Sequence, residues 1–456
     1  MESLKLPQEE TIKRFFIGKD IADVPKPAVV LDRAIIKRNC DRMLQAVKSL
    51  DVGFRTHVKT HKTQEVAQLQ VGEENTDANF VVSTIQEIDH LLPLFKKLKN
   101  RGRMVNVLYG IPLVPSKVTR LATLAKELGE KSITVMIDHP DQLSYLSKFH
   151  NIAKFPAYVF LKVDTGYHRA GLPPTALNKD GLLEKLAEAE KSGLARFLGV
   201  YSHSSLSYTA TTSEEAMTHL TKEIVGCNEA VKHNLDLLPR NRELIISVGA
   251  TPQVLSCQNL LSDSNSSSSP EAETLKALLR DPLDGAAQVK IELHAGVYPI
   301  LDMQQISTNA ITPGRLEDDI AISVIAEVSS VYNNGERSKP EALVAAGTLA
   351  LGREPCASYP GWGIISSWRR ASAAASRLIV ERISQEHAII SWENSTGQSS
   401  TEIPLQIGQA VRIYPNHACV TGAMYGWYLV VDSSLDTDSA KIIDVWVRAK
   451  GHNSTF

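Results

Sequence analysis

Nine short runs of apolar and β-branched residues recur along the first two thirds of the chain, and each ends in glycine or polar residues. Because the runs are continuous rather than alternating, they predict strands that are buried on both faces, as in a parallel sheet. In chain order they are PAVVLD (27–32), VGFRTHVK (52–59), NFVVST (79–84), VNVLYG (105–110), TVMIDH (134–139), YVFLKVDTG (158–166), LGVYSHS (198–204), LIISVGAT (244–251) and VKIELHAG (289–296).

Amphipathic helices are predicted between these runs, since apolar residues recur there at three- and four-residue spacing with charges between them. Examples are residues 84–100, 117–130 and 180–193. Strand–helix alternation indicates an α/β fold with a parallel sheet. If the first run is a lead-in from another domain, eight strands remain, which suits a closed (β/α)8 TIM barrel. Periodicity alone leaves an open, doubly wound sheet as the alternative.

The pattern changes towards the C-terminus, where the apolar runs become shorter and alternate with turn residues. This change predicts a second, mostly antiparallel β domain. We therefore expect an N-terminal segment (1–26) that joins the β domain, a barrel (27–304) and a C-terminal β domain (305–456). A serine-rich stretch at 262–274 predicts a disordered surface insertion before the last barrel strand.

Composition excludes several classes of partner. Of the 456 residues, 43% are hydrophobic and 22% charged, and the formal net charge is −2. Without a basic excess or a long apolar run, neither nucleic acid nor a membrane is expected as a partner. The five cysteines are scattered and odd in number, and the charged N-terminus lacks the apolar centre of a signal peptide. A reduced, cytoplasmic protein is therefore predicted.

The stretch RTHVKTHKT (55–63) concentrates cationic and imidazole side chains at the end of a predicted strand. An amine close to other cations loses its proton more easily, and a neutral amine can form a Schiff base with an aldehyde. Lys59 is the candidate nucleophile, with His57 two residues before it. Taken alone, the stretch is equally typical of a solvated basic turn.

Other candidate side chains also stand at predicted strand ends, where TIM-barrel active sites collect. Each could equally be an ordinary polar residue of a βα loop, or a core residue whose polar atoms are hydrogen-bonded. Only the shared position of these residues favours a functional site. Gly296 and the Thr251 turn could bind phosphate through backbone N–H groups. The candidates are Asp164, His168 and Arg169, Tyr201, His203 and Tyr208, Thr251, and His294 to Gly296.

His417 and Cys419, in YPNHAC, are two residues apart, so on a strand their side chains would share a face. Imidazole and thiolate are good zinc ligands, and a two-residue set leaves coordination positions open for water or substrate. A buried cysteine beside a turn histidine is, however, the commoner meaning of this spacing.

Six segments together resemble one family. RTHVKTHK, DTGYHRAGL, YSHSSLSY, SVGATP, ELHAGVY and YPNHAC, in this order, closely resemble the eukaryotic D-serine dehydratases. These are fold-type III enzymes of pyridoxal 5'-phosphate (PLP), related to alanine racemase and D-threonine aldolase. The resemblance runs from PKPAVVLDRAIIKRN to DVWVRAKG and implies an alanine-racemase-like TIM barrel, a β domain and a homodimer.

The resemblance also implies roles for single residues. Lys59 would carry PLP and act as the catalytic base, and Lys62 is the weaker candidate. The implied cofactor contacts are Arg169 near the phenolic oxygen, Tyr201 and Tyr208, the backbone of Gly296 and Val297 at the phosphate, and Thr251 beside it. His417 and Cys419 would bind Zn²⁺. Val297 and Ala346 depart from residues common in the family, and no arginine stands at His294 to face the pyridine nitrogen, as it does in alanine racemase.

The implied activity is that of a lyase that converts D-serine to pyruvate and ammonia. α-Proton removal by Lys59 would be followed by loss of the β-hydroxyl, with zinc as the Lewis acid. Two other enzyme activities remain open, a D-threonine aldolase and a D-3-hydroxyaspartate dehydratase. A PLP-binding homeostasis protein is the non-enzymatic alternative, although such proteins lack the β domain.

Overall fold

The computed structural model describes residues 9–74, 76–261, 269–312, 314–366, 377–393, 402–435 and 440–449. Its strands form a closed parallel barrel and a separate sheet. They are β1 (Ala28–Asp32), β2 (Gly53–His57), β3 (Ala78–Val82), β4 (Val105–Pro112), β5 (Ile133–Ile137), β6 (Ala157–Lys162), β7 (Ala195–Tyr201), β8 (Leu244–Val248), β9 (Val289–Ala295), β10 (Ile322–Tyr332), β11 (Glu341–Val344), β12 (Gly363–Ser366), β13 (Leu378–Ile383), β14 (Ala388–Trp392), β15 (Ala410–Pro415), β16 (Trp427–Val431) and β17 (Asp444–Val447).

The α-helices of the barrel lie between its strands, and short helices follow in the C-terminal part. Those described are α1 (Glu9–Phe16), α2 (Arg33–Ser49), α3 (Gln64–Val71), α4 (Ile85–Asn100), α5 (Pro115–Leu128), α6 (Leu146–Ala153), α7 (Leu182–Lys191), α8 (Ser213–Lys232), α9 (Thr251–Ser256), α10 (Pro270–Arg280), α11 (Met303–Ile306), α12 (Leu316–Asp319), α13 (Thr348–Leu351) and α14 (Ala418–Ala423). None of these described helices is both long and apolar enough to cross a bilayer.

Strands β2 to β9 close into the barrel in chain order, with β9 pairing back onto β2. The predicted alanine-racemase-like TIM barrel is thereby confirmed, and the open doubly wound sheet is wrong. All residues of β5 and β6 are buried, because one face of each strand fills the barrel and the other packs against helices. Several helices begin at a threonine whose hydroxyl accepts a backbone N–H, as Thr63, Thr84 and Thr212 do.

The second sheet has nine strands in the order β11-β14-β13-β12-β15-β10-β1-β16-β17. Its pairings are antiparallel except that of β1 with β16, which is parallel. The predicted lead-in strand is therefore a central strand of this sheet. The expected boundary between residues 26 and 27 had assigned it to the barrel. An apolar run cannot reveal its partners, since both sheets bury both faces of such a strand.

The structure describes the second part of the serine-rich stretch, residues 269–274. Residues 262–268 lie outside the described residues, whereas Ser269 caps α10 by accepting the Ala272 N–H at 3.2 Å. Pro270 occupies the first helical position, and Leu275 and Leu279 are buried. The predicted disorder is therefore wrong for residues 269–274, because serine before proline is also a helix start signal.

A charged cluster inside the barrel ties β2 to β9. The Arg55 guanidinium donates to Glu292 at 2.7 and 3.2 Å, and their side chains are only 2% and 4% exposed. Arg55 also donates to the Phe80 carbonyl and to Asn106 Oδ1. Four of the five N–H groups of the buried guanidinium thus have acceptors, which lie on β3, β4 and β9.

We expect Glu292→Ala to lower the free energy of unfolding by about 3–5 kcal/mol, because it leaves the Arg55 charge buried without its partner. Urea titration followed by circular dichroism measures the change. Asp236→Ala is the control, since it breaks the solvent-exposed ion pair with Arg240 and should leave the midpoint nearly unchanged. Equal midpoints for the two variants would contradict the prediction.

Candidate active site

Lys59 lies two residues beyond the end of β2, at the carboxyl end of the barrel. Its backbone N–H donates to His57 Nδ1 at 3.2 Å, which fixes the turn that follows the strand. Within the described ranges no carboxylate pairs with the partly buried Lys59 amine, whereas Lys62 Nζ lies 3.0 Å from Glu87 Oε1. Lys59 is therefore the lysine of this segment whose amine is available for chemistry.

Three histidines line the mouth of the barrel near Lys59. Burial lowers the pKa of His57, His203 and His294 well below the ordinary value, and the Lys59 charge lowers those of His57 and His203 further. All three are consequently neutral imidazoles near neutral pH. His203 Nδ1 donates to the Gly249 carbonyl at 2.7 Å, which leaves Nε2 as the acceptor nitrogen.

Tyr201 and His294 form one flat surface inside the mouth. Their rings stack with centroids 4.4 Å apart and an interplanar angle of 4°. His294 Nδ1 lies 3.2 Å from Ser247 Oγ, while its buried Nε2 has no hydrogen-bond partner. Burial also raises the pKa of Tyr201, so its hydroxyl is protonated.

The loop after β9 meets the first turn of α9. The N–H groups of Gly296 and Val297 donate to Thr251 Oγ1 at 3.3 and 3.0 Å. A Cβ at Gly296 would lie 3.0 Å from His57 Cβ and 3.1 Å from His57 O, so only glycine lets the loop approach β2 this closely. The three residues predicted at a phosphate are thus brought together, with both N–H groups pointing at one hydroxyl.

Arg169 is exposed at the rim of the site, on the loop after β6, with its guanidinium 5.5 Å from the Tyr167 ring. Burial and the Lys59 charge are the larger causes that lower the pKa of His57 and of His203, and the Arg169 charge lowers both further. Arg169 therefore lies near the same end of the barrel. Asp164 builds the loop instead, because its carboxylate accepts from the Gly166 and His168 N–H groups and lies 2.9 Å from His168 Nδ1.

His417 and Cys419 stand where β15 gives way to α14, not along a strand. β15 ends at Pro415, His417 precedes the first residue of α14, and Cys419 lies in its first turn. The assumption of strand geometry was therefore wrong, yet the turn still brings the two side chains together. Burial lowers the pKa of His417, but hydrogen bonding to Cys419 and the charges of Cys419 and Asp302 outweigh it and raise the pKa to about 9.

The two halves of the site meet within one chain. Thr60 Oγ1, next to Lys59, lies 3.2 Å from Cys419 Sγ. Tyr208 lies at the same junction, since burial raises its pKa and the neighbouring Cys419 and Asp302 raise it further. Of the predicted cofactor contacts, Tyr208 is thus the one placed towards the imidazole–thiol pair.

Comparisons with known proteins agree with this arrangement. Residues 31–264 match the family described as alanine racemase, N-terminal domain, and residues 321–431 match "Putative serine dehydratase domain". Over 447 residues the chain is 34% identical to a D-serine dehydratase of Schizosaccharomyces pombe. The aligned region covers 97% of this chain and 96% of the relative. The chain belongs to the D-serine dehydratase family. It is therefore an enzyme of the lyase class, and the resemblance of its motifs is confirmed.

More distant relatives of this D-serine dehydratase family member act on other compounds. A D-threo-3-hydroxyaspartate dehydratase of Delftia sp. is 25% identical over 90% of this chain and 96% of its own, and its solved structure gives a TM-score of 0.71 over 95% and 100% of the two chains. A D-threonine aldolase of Arthrobacter sp. is 22% identical over 95% of both chains. Solved hydroxyaspartate dehydratases include a histidine-to-alanine mutant and, two positions further on, a cysteine-to-alanine mutant in the metal-free form.

The residues of this family member fit the two groups that its family implies. For PLP they offer an amine without a carboxylate partner and a glycine cradle that a Cβ would fill. For zinc they offer an imidazole and a thiol, and His417 Nδ1 is buried without a hydrogen-bond partner. The described residues contain no group of three or more His, Cys, Asp or Glu that could hold a metal.

Two residues of the dehydratase site were missed by sequence reasoning. Thr60 was hidden within the basic stretch, and its partner Cys419 lies 359 positions away. Asp302 accepts the Gln305 N–H at 2.9 Å and the Ala418 N–H at 2.7 Å. Its helix-capping role could have been seen in DMQQI, but its contact with the residue between His417 and Cys419 could not.

We expect Gly296→Ala to lower both the melting temperature and the retention of PLP, because the added methyl forces the loop away from His57. Differential scanning fluorimetry and the visible absorbance after dialysis measure the two effects. Gly426→Ala is the matched control, since a Cβ there meets nothing within 4 Å. Unchanged PLP retention in Gly296→Ala would show that the loop does not contact the cofactor.

Proposed function

We propose that the protein is a PLP- and zinc-dependent D-serine dehydratase, which converts D-serine to pyruvate and ammonia. The observation that carries the proposal is the 3.2 Å approach of Thr60 Oγ1 to Cys419 Sγ. This contact brings the segment that carries Lys59 next to the turn that carries His417 and Cys419, which supports a shared site. β-Elimination needs a base at Cα and an electrophile at the β-hydroxyl, and these two groups supply them.

Lys59 is the residue that would hold PLP and then move the α-proton. PLP, when bound, supplies the electron sink that makes the α-proton acidic. Burial keeps His57 and His203 neutral, so each offers an imidazole nitrogen beside the Lys59 amine rather than a further positive charge. Tyr201 would support the cofactor from its flat stack with His294, and Arg169 would face it from the rim.

The anchoring of the cofactor phosphate falls to the loop after β9. Gly296 and Val297 present two adjacent N–H donors, which now share Thr251 Oγ1. A phosphate offers more acceptor oxygens than a hydroxyl, and its negative charge suits two N–H donors beside the start of α9. The Val297 side chain does not matter for this role, because only its backbone is used.

His417 and Cys419 are the proposed zinc ligands. Zinc, when bound, supplies a Lewis acid for departure of the β-hydroxyl. The metal-free cysteine mutant of the hydroxyaspartate dehydratase supports this assignment, since its histidine and cysteine have the same spacing. Tyr208, whose pKa is raised by burial and then by the neighbouring Cys419, would orient the substrate at this end.

The other activities are less well supported. D-threonine aldolase and D-3-hydroxyaspartate dehydratase activities would use the same cleft, but the relative that is 34% identical is a D-serine dehydratase. A PLP-binding homeostasis protein has no use for the nine-stranded sheet that carries His417 and Cys419. The family also favours a cytoplasmic homodimer, for which light scattering gives the mass and cell fractionation the compartment.

We expect Lys59→Ala to lose the visible absorbance of the PLP imine and all measurable elimination. Lys62→Ala is the control on the same segment, because Lys62 is bound to Glu87, and it should keep both signals. Absorbance spectra of the purified proteins and pyruvate release measure the two properties. If Lys59→Ala keeps the visible absorbance and still releases pyruvate, another amine carries the cofactor.

We expect pyruvate from D-serine only, with none from L-serine and no glycine from D-threonine. A chelator should abolish pyruvate formation and added zinc should restore it, because hydroxide is a poor leaving group without a Lewis acid. Product analysis by mass spectrometry separates elimination from carbon–carbon cleavage. Glycine as the main product would favour the aldolase, and indifference to the chelator would contradict the metal role.

A further inference from the structure

Asp302 is a fully buried carboxylate that stands at the junction of the two halves of the site. It lies six residues after Gly296, on the continuation of the loop proposed to hold phosphate. One oxygen caps α11 by accepting the Gln305 N–H at 2.9 Å. The other accepts the N–H of Ala418, the residue between His417 and Cys419, at 2.7 Å.

The Asp302 carboxylate is held by backbone N–H groups rather than by a lysine or arginine side chain. No lysine or arginine forms an ion pair with it in the part of the chain that the structure describes, and its hydrogen bonds come from backbone N–H groups. Buried carboxylates are ordinarily paired with a cation or a metal, since burial of an uncompensated charge is expensive. The Ala418 N–H that Asp302 accepts belongs to the residue between His417 and Cys419, so a cation at the imidazole–thiol pair would lie on the same turn as this charge.

We propose that Asp302 is a positioning residue for the zinc ion, both as its buried counter-charge and as the backbone anchor of its two ligands. The inference rests on the proposed zinc site. Asp302 does not touch the metal; it holds the Ala418 peptide and thereby fixes the direction of the side chains on either side. Outer partners of this kind are known to change metal affinity by about 10–100-fold.

Glu354 provides a natural comparison within the same site. Its Oε2 lies 3.9 Å from His417 Nδ1, beyond hydrogen-bond distance, and its side chain is 45% exposed. Solvent therefore screens the Glu354 charge, and that carboxylate holds no backbone group of the His417–Cys419 turn. Two carboxylates face one histidine, but only Asp302 is both buried and connected to the turn.

The experiment compares Asp302→Asn with Glu354→Gln, each of which removes one charge with little change in size. Zinc dissociation constants are measured on the PLP-loaded proteins by competition with a chromophoric chelator. Asp302→Asn should raise the zinc dissociation constant by about 10–100-fold and keep the PLP absorbance. Glu354→Gln should change it by less than about threefold. Equal constants for Asp302→Asn and the unaltered protein would overturn the proposal.

A thermal measurement gives a second readout. Asp302 also caps α11, so Asp302→Asn should lower the melting temperature of the zinc-free protein whatever its role at the metal. The quantity compared is therefore the rise in melting temperature on addition of zinc, which should be smaller in Asp302→Asn than in the unaltered protein and absent in His417→Ala. An equal rise in Asp302→Asn and the unaltered protein would overturn the proposal.

The two hypotheses fail in different ways. If the unaltered protein binds zinc no more tightly than His417→Ala, the proposed zinc site itself is wrong. If the unaltered protein binds zinc tightly and Asp302→Asn binds it equally well, only the role of Asp302 is wrong.

Discussion

The site depends on the contact between the turn after β2 and the turn between β15 and α14. The first turn carries Lys59, proposed to hold PLP, and the second carries His417 and Cys419, proposed to hold zinc. Residues 448 and 449, which follow β17, bridge the turn after β2 and α14 by hydrogen bonds to both. Ala449 donates its N–H to the Lys62 carbonyl at 2.8 Å, and Arg448 Nη1 donates to the Gly422 carbonyl at 2.5 Å. The Lys59 amine and the proposed zinc ligands are therefore fixed relative to one another by hydrogen bonds to backbone carbonyls, as pre-organised catalysis requires.

Positively charged and neutral side chains are distributed unevenly at the open end of the barrel. Lys59 and Arg169 bring positive charge, whereas burial holds His57, His203 and His294 neutral. The result is a donor-rich, weakly cationic cleft that suits a phosphorylated aldehyde and an amino acid carboxylate. Deeper in the barrel, the Arg55–Glu292 pair is internally balanced and contributes no net charge. Charge is thus concentrated where the anionic groups would lie, near the open end.

Sequence reasoning succeeded where local pattern is sufficient and failed where partners are distant. The barrel strands were predictable because eight continuous apolar runs each end in polar residues, and the site motifs stood at those ends. The geometry of His417 and Cys419 was not predictable, because nothing in the local sequence pattern shows that β15 ends at Pro415. Nor does a local pattern show that β1 pairs with β10 and β16, or that Asp302 reaches Ala418. These are contacts between residues more than a hundred positions apart, which only the folded topology brings together.

The central position of β1 has a consequence for the order in which the molecule can assemble during synthesis. The strand leaves the ribosome early, but its neighbours β10 and β16 come much later, and Arg33 pairs with Asp432 across 399 positions. All eight barrel strands can therefore be synthesised and can pair while both edges of β1 still lack their partner strands. Bare strand edges invite pairing with other chains. Such a nascent polypeptide would depend on a chaperone, or on rapid elongation, until its last strands arrive.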